Sequence, residues 1–306
     1  MHARPFCPEA LVLGTPRPLT TCHHGDGFDV VDGFARVLDQ DGHDVTEALL
    51  RGARAMVECA RAHRAELALL LDISDSCGSN VIYRGPAEDS CYQPGPGVAA
   101  ALLRRAGVPT LANTDAATLA QLHQLLNPDV SRPSDEVDRI DRPWFRENMP
   151  FIRRESTTDH AAVDDVIEEA FGSTDEVALV QALRQLTGSQ HWVATVADRV
   201  AGHIAYTPVS MPGVFALAPL SVAPHLQGRG IGTALVRTSL RSLRAAGARG
   251  VLVLGDPSYY RRFGFAPARA IQSRWSGAGD AWMALELCGE LPSGPVDYPA
   301  AFHALD

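Results

Sequence analysis

The stretch from residue 126 to residue 150, "LNPDVSRPSDEVDRIDRPWFRENMP", constrains everything on either side of it. It holds four prolines among acids and arginines and has no sustained helical or alternating apolar period. Proline locks φ and lacks an amide donor, so such a segment does not run through the interior of a helix or sheet. A chain of 306 residues interrupted there has enough length on each side to bury a core of its own. The expectation is a domain over residues 1–125, a linker over 126–150 and a second domain over 151–306.

Each side carries its own pattern. Before the linker, "DVTEALLRGARAMVECARAHR" places apolar residues at helical spacing behind Thr46, a residue suited to an N-cap. "ELALLLDIS" reads as a buried strand, "GPGVAAALLRRAG" as a helix and "VPTLAN" as a short strand. That alternation implies an α/β layer. After the linker, "FIRRES" reads as a strand and "TTDHAAVDDVIEEAFG" as a helix begun by Thr157 or Thr158, followed by a second helix, "EVALVQALRQL". "HWVATVADRV", "AGHIAYTPV" and "VFALAPLSVAP" form an antiparallel meander. A glycine loop, the amphipathic helix "TALVRTSLRSLRAAG", the buried strand "GVLVLG" and a short helix in "SYYRRFGF" complete an α+β order with a mixed, mostly antiparallel sheet flanked by helices.

Charge and composition exclude several function classes. The formal net charge is −9, and neither half is basic: residues 1–150 hold 14 arginines against 21 acids, the remainder 13 against 15. No nucleic-acid partner is expected from such a balance. All 27 basic residues are arginine, so the chain has no lysine. No apolar run reaches the roughly 18 residues of a membrane span, and the amino terminus lacks the basic-then-apolar pattern of a secretory signal. A cytoplasmic protein with no membrane partner is the expectation. The six cysteines, Cys7, Cys22, Cys59, Cys77, Cys91 and Cys288, show no zinc-site spacing. Cys59 and Cys288 sit in apolar contexts and read as small buried hydrophobes.

The glycine loop "HLQGRGIGTA" carries the chemistry. A strand ending at Pro224 and a helix starting near Thr233 leave the loop amides pointing along the helix axis, which makes an anion site. A nucleotide P-loop would need a lysine, and the chain has none. A dinucleotide fingerprint would need glycine where Thr233 stands, after a parallel strand. What remains is Q-x-x-G-x-G, here Gln227, Gly230 and Gly232. It resembles the pyrophosphate loop of the GNAT superfamily of acetyltransferases. The resemblance covers roughly residues 151 to 303, in the family's element order, and "DPSYYRRFGF" is similar to the "YYxRFGF" segment after the family's fifth strand.

The resemblance implies a GNAT fold and acetyl-CoA as cosubstrate, its pyrophosphate on Gln227, Gly228, Arg229, Gly230, Ile231, Gly232 and Thr233. It also implies that backbone amides of Leu220, Ser221 and Val222, in "LAPLSV", meet the acetyl carbonyl and the pantetheine. Amine attack on a thioester needs the CoA held, the oxyanion stabilised and the leaving thiolate protonated. By motif, Tyr260 would protonate the sulfur, since a phenol of ordinary pKa about 10 suits a thiolate; the competing reading is a packed aromatic. The general base stays open, because "VFALAPLSV" has no carboxylate and a water relay would serve. His203 is one candidate and Glu176 another, against the blander readings of a core histidine and a solvated acid at a helix start.

In the first domain, "FCPEALVLGTPRP", "DGFDVVDGFARVLDQDGHDVTEALLRGA", "SDSCGSNVIY" and "PGPGVAAALLRRAGV" follow one another in an order that resembles the 2-thiouracil desulfurase family, over roughly residues 4 to 113. That family holds a four-iron, four-sulfur cluster on three cysteines, and by motif Cys7 and Cys77 would be two of the ligands. The family begins with a further strand and cysteine loop, whereas this chain starts just ahead of the second motif. Either Cys22 or Cys91 substitutes, the start lies upstream, or the domain has lost its cluster and is kept for recognition, stability or dimerisation, which is the expectation. Glu9, Ser74 and Ser76 beside these cysteines read as site residues or as turn and cap chemistry.

The expected function is acetyl-CoA-dependent N-acetyl transfer to an amine, direct in a ternary complex, with a small-molecule or peptide acceptor. The acidic chain favours a cationic one, and a homodimer is the base-rate assembly. Two alternatives stand beside it: an iron–sulfur-dependent desulfurase of thiolated pyrimidines, and a non-catalytic sensor that binds acetyl-CoA.

Overall fold

In the computed structural model, which describes residues 3–83, 92–129, 136–275 and 277–305, the chain divides into two units, Met1–Met149 and Pro150–Asp306, each with its own core. The boundary falls at the end of the proline-rich stretch, and the described part of that stretch packs. Residues Arg139–Asp141 form a 3₁₀ turn, and helix α6 (Pro143–Asn148) starts on a proline, whose fixed φ suits the first helical position. Phe145 and Met149 bury against Val81. Their apolar side chains, surrounded in sequence by charge, give residues 136–149 a place in the first core rather than the character of a free linker.

The first unit runs α1 (Pro8–Leu13), β1 (Thr20–His23), α2 (Gly27–Val31), β2 (Arg36–Asp39), α3 (Thr46–Ala62), β3 (Ala68–Leu70), β4 (Val81–Tyr83), β5 (Tyr92–Pro94), α4 (Val98–Arg105), β6 (Thr110–Ala112), α5 (Ala116–Leu126) and then α6. β1 pairs antiparallel with β2, β4 antiparallel with β5, and β3 parallel with β6. The apolar stripe of α3 buries Leu49, Ala53 and Val57, and α4 contributes Val98, Ala99, Ala100 and Leu103 to the same two clusters. Thr46 is not the N-cap. Asp44 accepts the Thr46 N–H at 3.0 Å, which frees the Thr46 hydroxyl to accept the Val37 N–H of β2 at 2.8 Å. Nor is "ELALLLDIS" a buried strand: three of its residues pair with β6, and Leu69 and Leu71 are 57% and 58% exposed.

The start of α4 fixes the turn that bears Cys77. Helix N-termini leave donors without intrahelical partners, and here Val98 and Ala99 donate to the carbonyls of Asp75 and Ser76, both at 2.8 Å. The approach is close enough that a Cβ on Gly97 would stand 2.5 Å from the Ser76 carbonyl and 2.6 Å from that of Ser74.

The second unit is a seven-stranded sheet in the order β12-β14-β11-β10-β9-β8-β7, with β10 and β11 parallel and the other pairs antiparallel. Its elements are β7 (Phe151–Arg154), α7 (His160–Phe171), α8 (Asp175–Leu183), β8 (Gln190–Val196), β9 (Arg199–Pro208), β10 (Val214–Val222), α9 (Ile231–Ala245), β11 (Gly250–Leu254), α10 (Pro257–Tyr260), β12 (Ala266–Pro267), β13 (Ile271–Gln272), β14 (Trp282–Glu286) and β15 (Gly294–Pro295). Side chains alternate across a strand. Trp192, Ala194, Ile204 and Tyr206 therefore pack under α9, against Leu235, Val236 and Leu243, while Val193 packs on the other face with Val163, Ile167 and Val180 of α7 and α8.

Three local boundaries differ from the sequence reading. The β8–β9 hairpin turns at Ala197 and Asp198, both at positive φ (50° and 59°), as a two-residue hairpin turn requires, and not after Val200. α7 is introduced by Ser156, whose side chain forms a reciprocal capping box with Asp159. Arg153 donates twice to Asp159, at 2.6 and 2.8 Å, and holds that carboxyl well below the ordinary range. α9 begins at Ile231, two residues before Thr233.

Gly97→Ala is expected to cost the first unit about 2–3 kcal/mol, because the added methyl meets backbone that cannot step aside. Denaturant unfolding of the two chains measures it, and an unchanged midpoint would show that the turn is not seated on α4.

Candidate functional site

The sheet of the second unit opens where its two parallel strands part. β10 pairs with β11 through Val214, Phe215 and Ala216 only. On its other edge β10 carries a bulge: Leu217 faces Tyr206 and Leu220 faces Ile204, so Ala218 and Pro219 together oppose the single residue Ala205. Such an extra residue bends a strand and strengthens its twist. Among the described residues the edge of β10 turned toward β11 has no strand partner beyond Ala216, while the other edge of Leu220, Ser221 and Val222 stays paired with β9.

α9 starts at the mouth of this opening. Gly230 is its N-cap with φ of 82°, Gly228 has φ of 75°, and no side chain caps the helix. These left-handed conformations are what the glycines permit and other residues resist. The first-turn N–H groups of Ile231, Gly232 and Thr233 have no intrahelical acceptor, and they sit at the positive end of a 15-residue helix. Gln227 folds its amide back onto the Val222 carbonyl at 3.1 Å, which closes the loop over the strand end, while Arg229 stands exposed. The arrangement sets helix N-terminal donors at the carboxyl end of parallel strands, a geometry suited to an anion.

Of the two tyrosines in "SYYRRFGF", Tyr259 reaches the loop and Tyr260 packs beside it against Gly255. Asp256 caps α10 through the Ser258 N–H. Tyr260 is 8% exposed, edge-on to Tyr259 and Phe265, and its ring lies against Gly255, where a Cβ would come within 2.4 Å. Burial first, and then Tyr259, push its hydroxyl pKa well above the ordinary value. Tyr259 is a site residue that the sequence reading passed over. Its hydroxyl stands 2.6 Å from where a Gly232 Cβ would be, beside Thr233, and Arg262 lies over its ring at 4.8 Å. The motif did contain this signal, but only the packing shows that the first tyrosine reaches the loop.

His203 is fully buried on β9, on the face covered by α7 and α8, so any service as a general base has to pass through a relay. Its register partner on β10 is Ser221. Its ring stacks on His191 of β8 with Nε2 at 3.2 Å from His191 Nδ1, and His191 in turn faces Glu155 at 3.6 Å. Arg184 bridges Glu155 at 2.7 Å and Asp164 at 2.8 Å. Burial lowers the pKa of both histidines. Glu176 lies at the start of α8, half-buried, with one carboxylate oxygen enclosed and without a partner, as is the Ser221 hydroxyl.

In the first unit a second cluster gathers Cys7, Glu9, Arg17, Ser74 and Cys77. Arg17 pairs with Glu9 at 2.7 Å and reaches Cys7 Sγ at 3.8 Å. The Ser74 hydroxyl accepts the Cys77 N–H at 3.1 Å and donates to Glu9 at 3.4 Å, so it serves the turn and the cluster together. Burial, followed by the Glu9 charge, pushes the Cys77 thiol up to about 12, and Cys7 weighs on it in the same direction. Cys22 does not join them. It is buried with its Sγ toward the Asp75 carbonyl at 3.7 Å, and burial and Asp75 raise its pKa. Among the described residues no group of three potential metal ligands includes a cysteine. Cys91 lies outside the described residues. Cys59 is half-buried and Cys288 exposed, so neither is the enclosed hydrophobe expected of it.

Comparison with known proteins follows the same division. Residues 1–115 match the 2-thiouracil desulfurase family and residues 160–265 the acetyltransferase (GNAT) family. The Escherichia coli N-acetyltransferase YhbS is 32% identical over 151 residues, 47% of this chain and 90% of that protein; the match to E. coli YjhQ spans 66% of that protein. A GNAT-family acetyltransferase from Brucella melitensis, solved with acetyl-CoA, is 38% identical, with 51% of this chain and 99% of that one covered and a TM-score of 0.44. A [4Fe-4S]-dependent thiouracil desulfidase, TudS, is 34% identical, with 39% and 73% covered and a TM-score of 0.33. Among the described residues no helix is long and apolar enough to cross a membrane.

Alkylation mapped by mass spectrometry at pH 8 is expected to label exposed Cys7 and Cys288 first and Cys77 at least about 100-fold more slowly, since the thiolate is the nucleophile. Equal rates at Cys7 and Cys77 would contradict the burial and the Glu9 field that hold Cys77 as a thiol.

Proposed function

That this chain belongs to the acetyltransferase (GNAT) family, and so is an acyltransferase, and that it carries a 2-thiouracil desulfurase-like domain, is the premise from which we propose its reaction: direct transfer of acetyl from acetyl-CoA to an amine, both bound at once. The observation that carries this reading is the parting of β10 from β11 beside the uncapped start of α9. An anion at the loop over Gln227–Thr233 would meet free N–H groups and the helix dipole together. A thioester laid along the opening would meet the free edge of Leu220, Ser221 and Val222, where a donor stabilises the carbonyl oxygen as it gains charge.

The amine nitrogen attacks the carbonyl carbon, the C–S bond breaks, and the electron pair goes to sulfur. Tyr260 gives its hydroxyl proton to that sulfur; its burial keeps the donor form populated well past neutral pH. The amine proton leaves through water. Glu176, with its unpartnered oxygen, is the carboxylate candidate to receive it, and His203 serves only through a relay because it is sealed in the core. The acidic chain favours a small cationic amine or basic peptide as acceptor.

A second reading concerns the first unit, where Cys7, Glu9, Arg17, Ser74 and Cys77 converge. The described donors do not fit a four-iron cluster, which takes three or four thiolates: two cysteines meet there, and Cys22 is turned away. We therefore read this unit as a desulfurase fold kept for recognition, stability or dimerisation.

Thiol release from acetyl-CoA across a panel of small amines and basic peptides identifies the acceptor. With that acceptor, Tyr260→Phe is expected to lower kcat about 100-fold or more while acetyl-CoA affinity barely changes; an unchanged kcat removes Tyr260 from the reaction. Iron and acid-labile sulfide, measured after anaerobic reconstitution, should stay well below one cluster per chain. Stoichiometric iron that Cys77→Ala abolishes would instead make the first unit an iron–sulfur desulfurase domain.

A further inference from the structure

Three side chains from three neighbouring strands converge in the closed space under α7 and α8. Glu155 follows β7, His191 lies on β8 and His203 on β9. The register Val193↔His203 and His191↔Ala205 sets both imidazoles on one face as diagonal neighbours. His191 Nδ1 stands 3.2 Å from His203 Nε2 and 3.6 Å from Glu155 Oε2, and the three donor atoms all lie within 4.8 Å of one another. From this geometry we propose that Glu155, His191 and His203 bind one divalent transition-metal ion, of the zinc class, as a clamp across β7, β8 and β9.

The spacing suits a single ion. Donors about 2.1 Å from a common centre at tetrahedral angles stand about 3.4 Å apart, between the two separations found here. Two imidazoles and one carboxylate are borderline ligands suited to zinc or its first-row neighbours, and unsuited to calcium or magnesium. Metal-binding carboxylates are commonly oriented by an outer partner. Here Arg184 holds Glu155 Oε1 at 2.7 Å and touches Oε2 only at 3.4 Å through Nε, which orients Oε2 toward His191. Arg184 is itself shared with Asp164, so its one positive charge is set against two carboxylates and the pocket keeps room for a cation.

A proton does not serve these three atoms equally well. One proton between the rings satisfies the 3.2 Å nitrogen pair, but it leaves His191 and Glu155 Oε2 3.6 Å apart, with only the long 3.4 Å Arg184 Nε contact on that oxygen. A divalent cation satisfies all three at once. The pocket is also dry: the side chains of Glu155 and His191 are 4% and 8% exposed and His203 is fully buried, which favours neutral, metal-binding imidazoles. The inference does not rest on the acetyl-transfer reaction.

The test uses the tag-free full chain carrying Cys7→Ser and Cys77→Ser, so that the neighbouring thiols of the first unit do not contribute. Dialysis against micromolar zinc followed by elemental analysis should find one zinc per chain, and zinc should raise Tm. In His191→Gln zinc affinity should fall at least 100-fold and the Tm shift should vanish. Cobalt(II) should give visible bands without thiolate charge transfer in the parent protein, a readout that stands even where a variant folds poorly. No zinc retained by the parent, or retention unchanged in folded His191→Gln, overturns the site and leaves only a histidine–histidine hydrogen bond.

Discussion

The second unit depends on one departure from regular pairing: β10 can keep only three residues of parallel contact with β11. Up to Ala216 the two strands share a ladder and the core under α9 is continuous. Beyond it, the extra residue at Ala218–Pro219 turns the strand, and proline contributes no donor there to hold a neighbour. A sheet edge that would otherwise be a liability is placed at the start of α9, where backbone donors have no internal acceptor. The same backbone that ends the ladder thus creates the binding groove. The residues that close over it, Tyr259 and Tyr260, are set by the chain's return through β11 and the capped turn at Asp256.

The opposite face is held by charge as well as by apolar packing. Arg184 ties the end of β7 to α7 through Glu155 and Asp164, with the arginine and glutamate side chains almost enclosed. Buried ion pairs recover their desolvation cost only when geometry and partners are good. Here each carboxylate meets the guanidinium at under 3 Å, and Gln181 adds a further donor to Asp164 at 2.7 Å. The histidine pair sits in the field of that network, one strand away from Ser221 and the cleft edge. In the first unit, backbone does comparable work: α4 lends its first donors to the turn around Cys77, with glycine at the contact because no side chain fits.

Much of this was legible before any coordinates. The amphipathic periods of α3, α7 and α9, the meander and the glycine loop each follow from spacing that local physics enforces. α5 was missed because it buries none of its residues completely and so lacks a sharp apolar stripe. Residues 136–149 were misread for the reverse reason, since two buried apolar side chains in a charged, proline-rich run leave no periodic trace. That Thr46 stands inside α3, after Val45 at the N-cap, goes with its hydroxyl being claimed by a neighbouring strand, a contact nine residues distant in sequence.

By itself, the sequence determined that the chain has two cores, that the loop over Gln227–Thr233 is no lysine-dependent nucleotide site, and which families its motifs resemble. These are local matters: glycine where φ must be positive, apolar residues at the period of their element, no lysine at all. Only the tertiary structure decided which tyrosine stands at the loop, that His203 is sealed against His191 and Glu155, and that Cys22 turns from Cys7 and Cys77. Those outcomes depend on register and on which strands become neighbours. Pairing residues dozens of positions apart is a property of the closed fold, and no local pattern carries it.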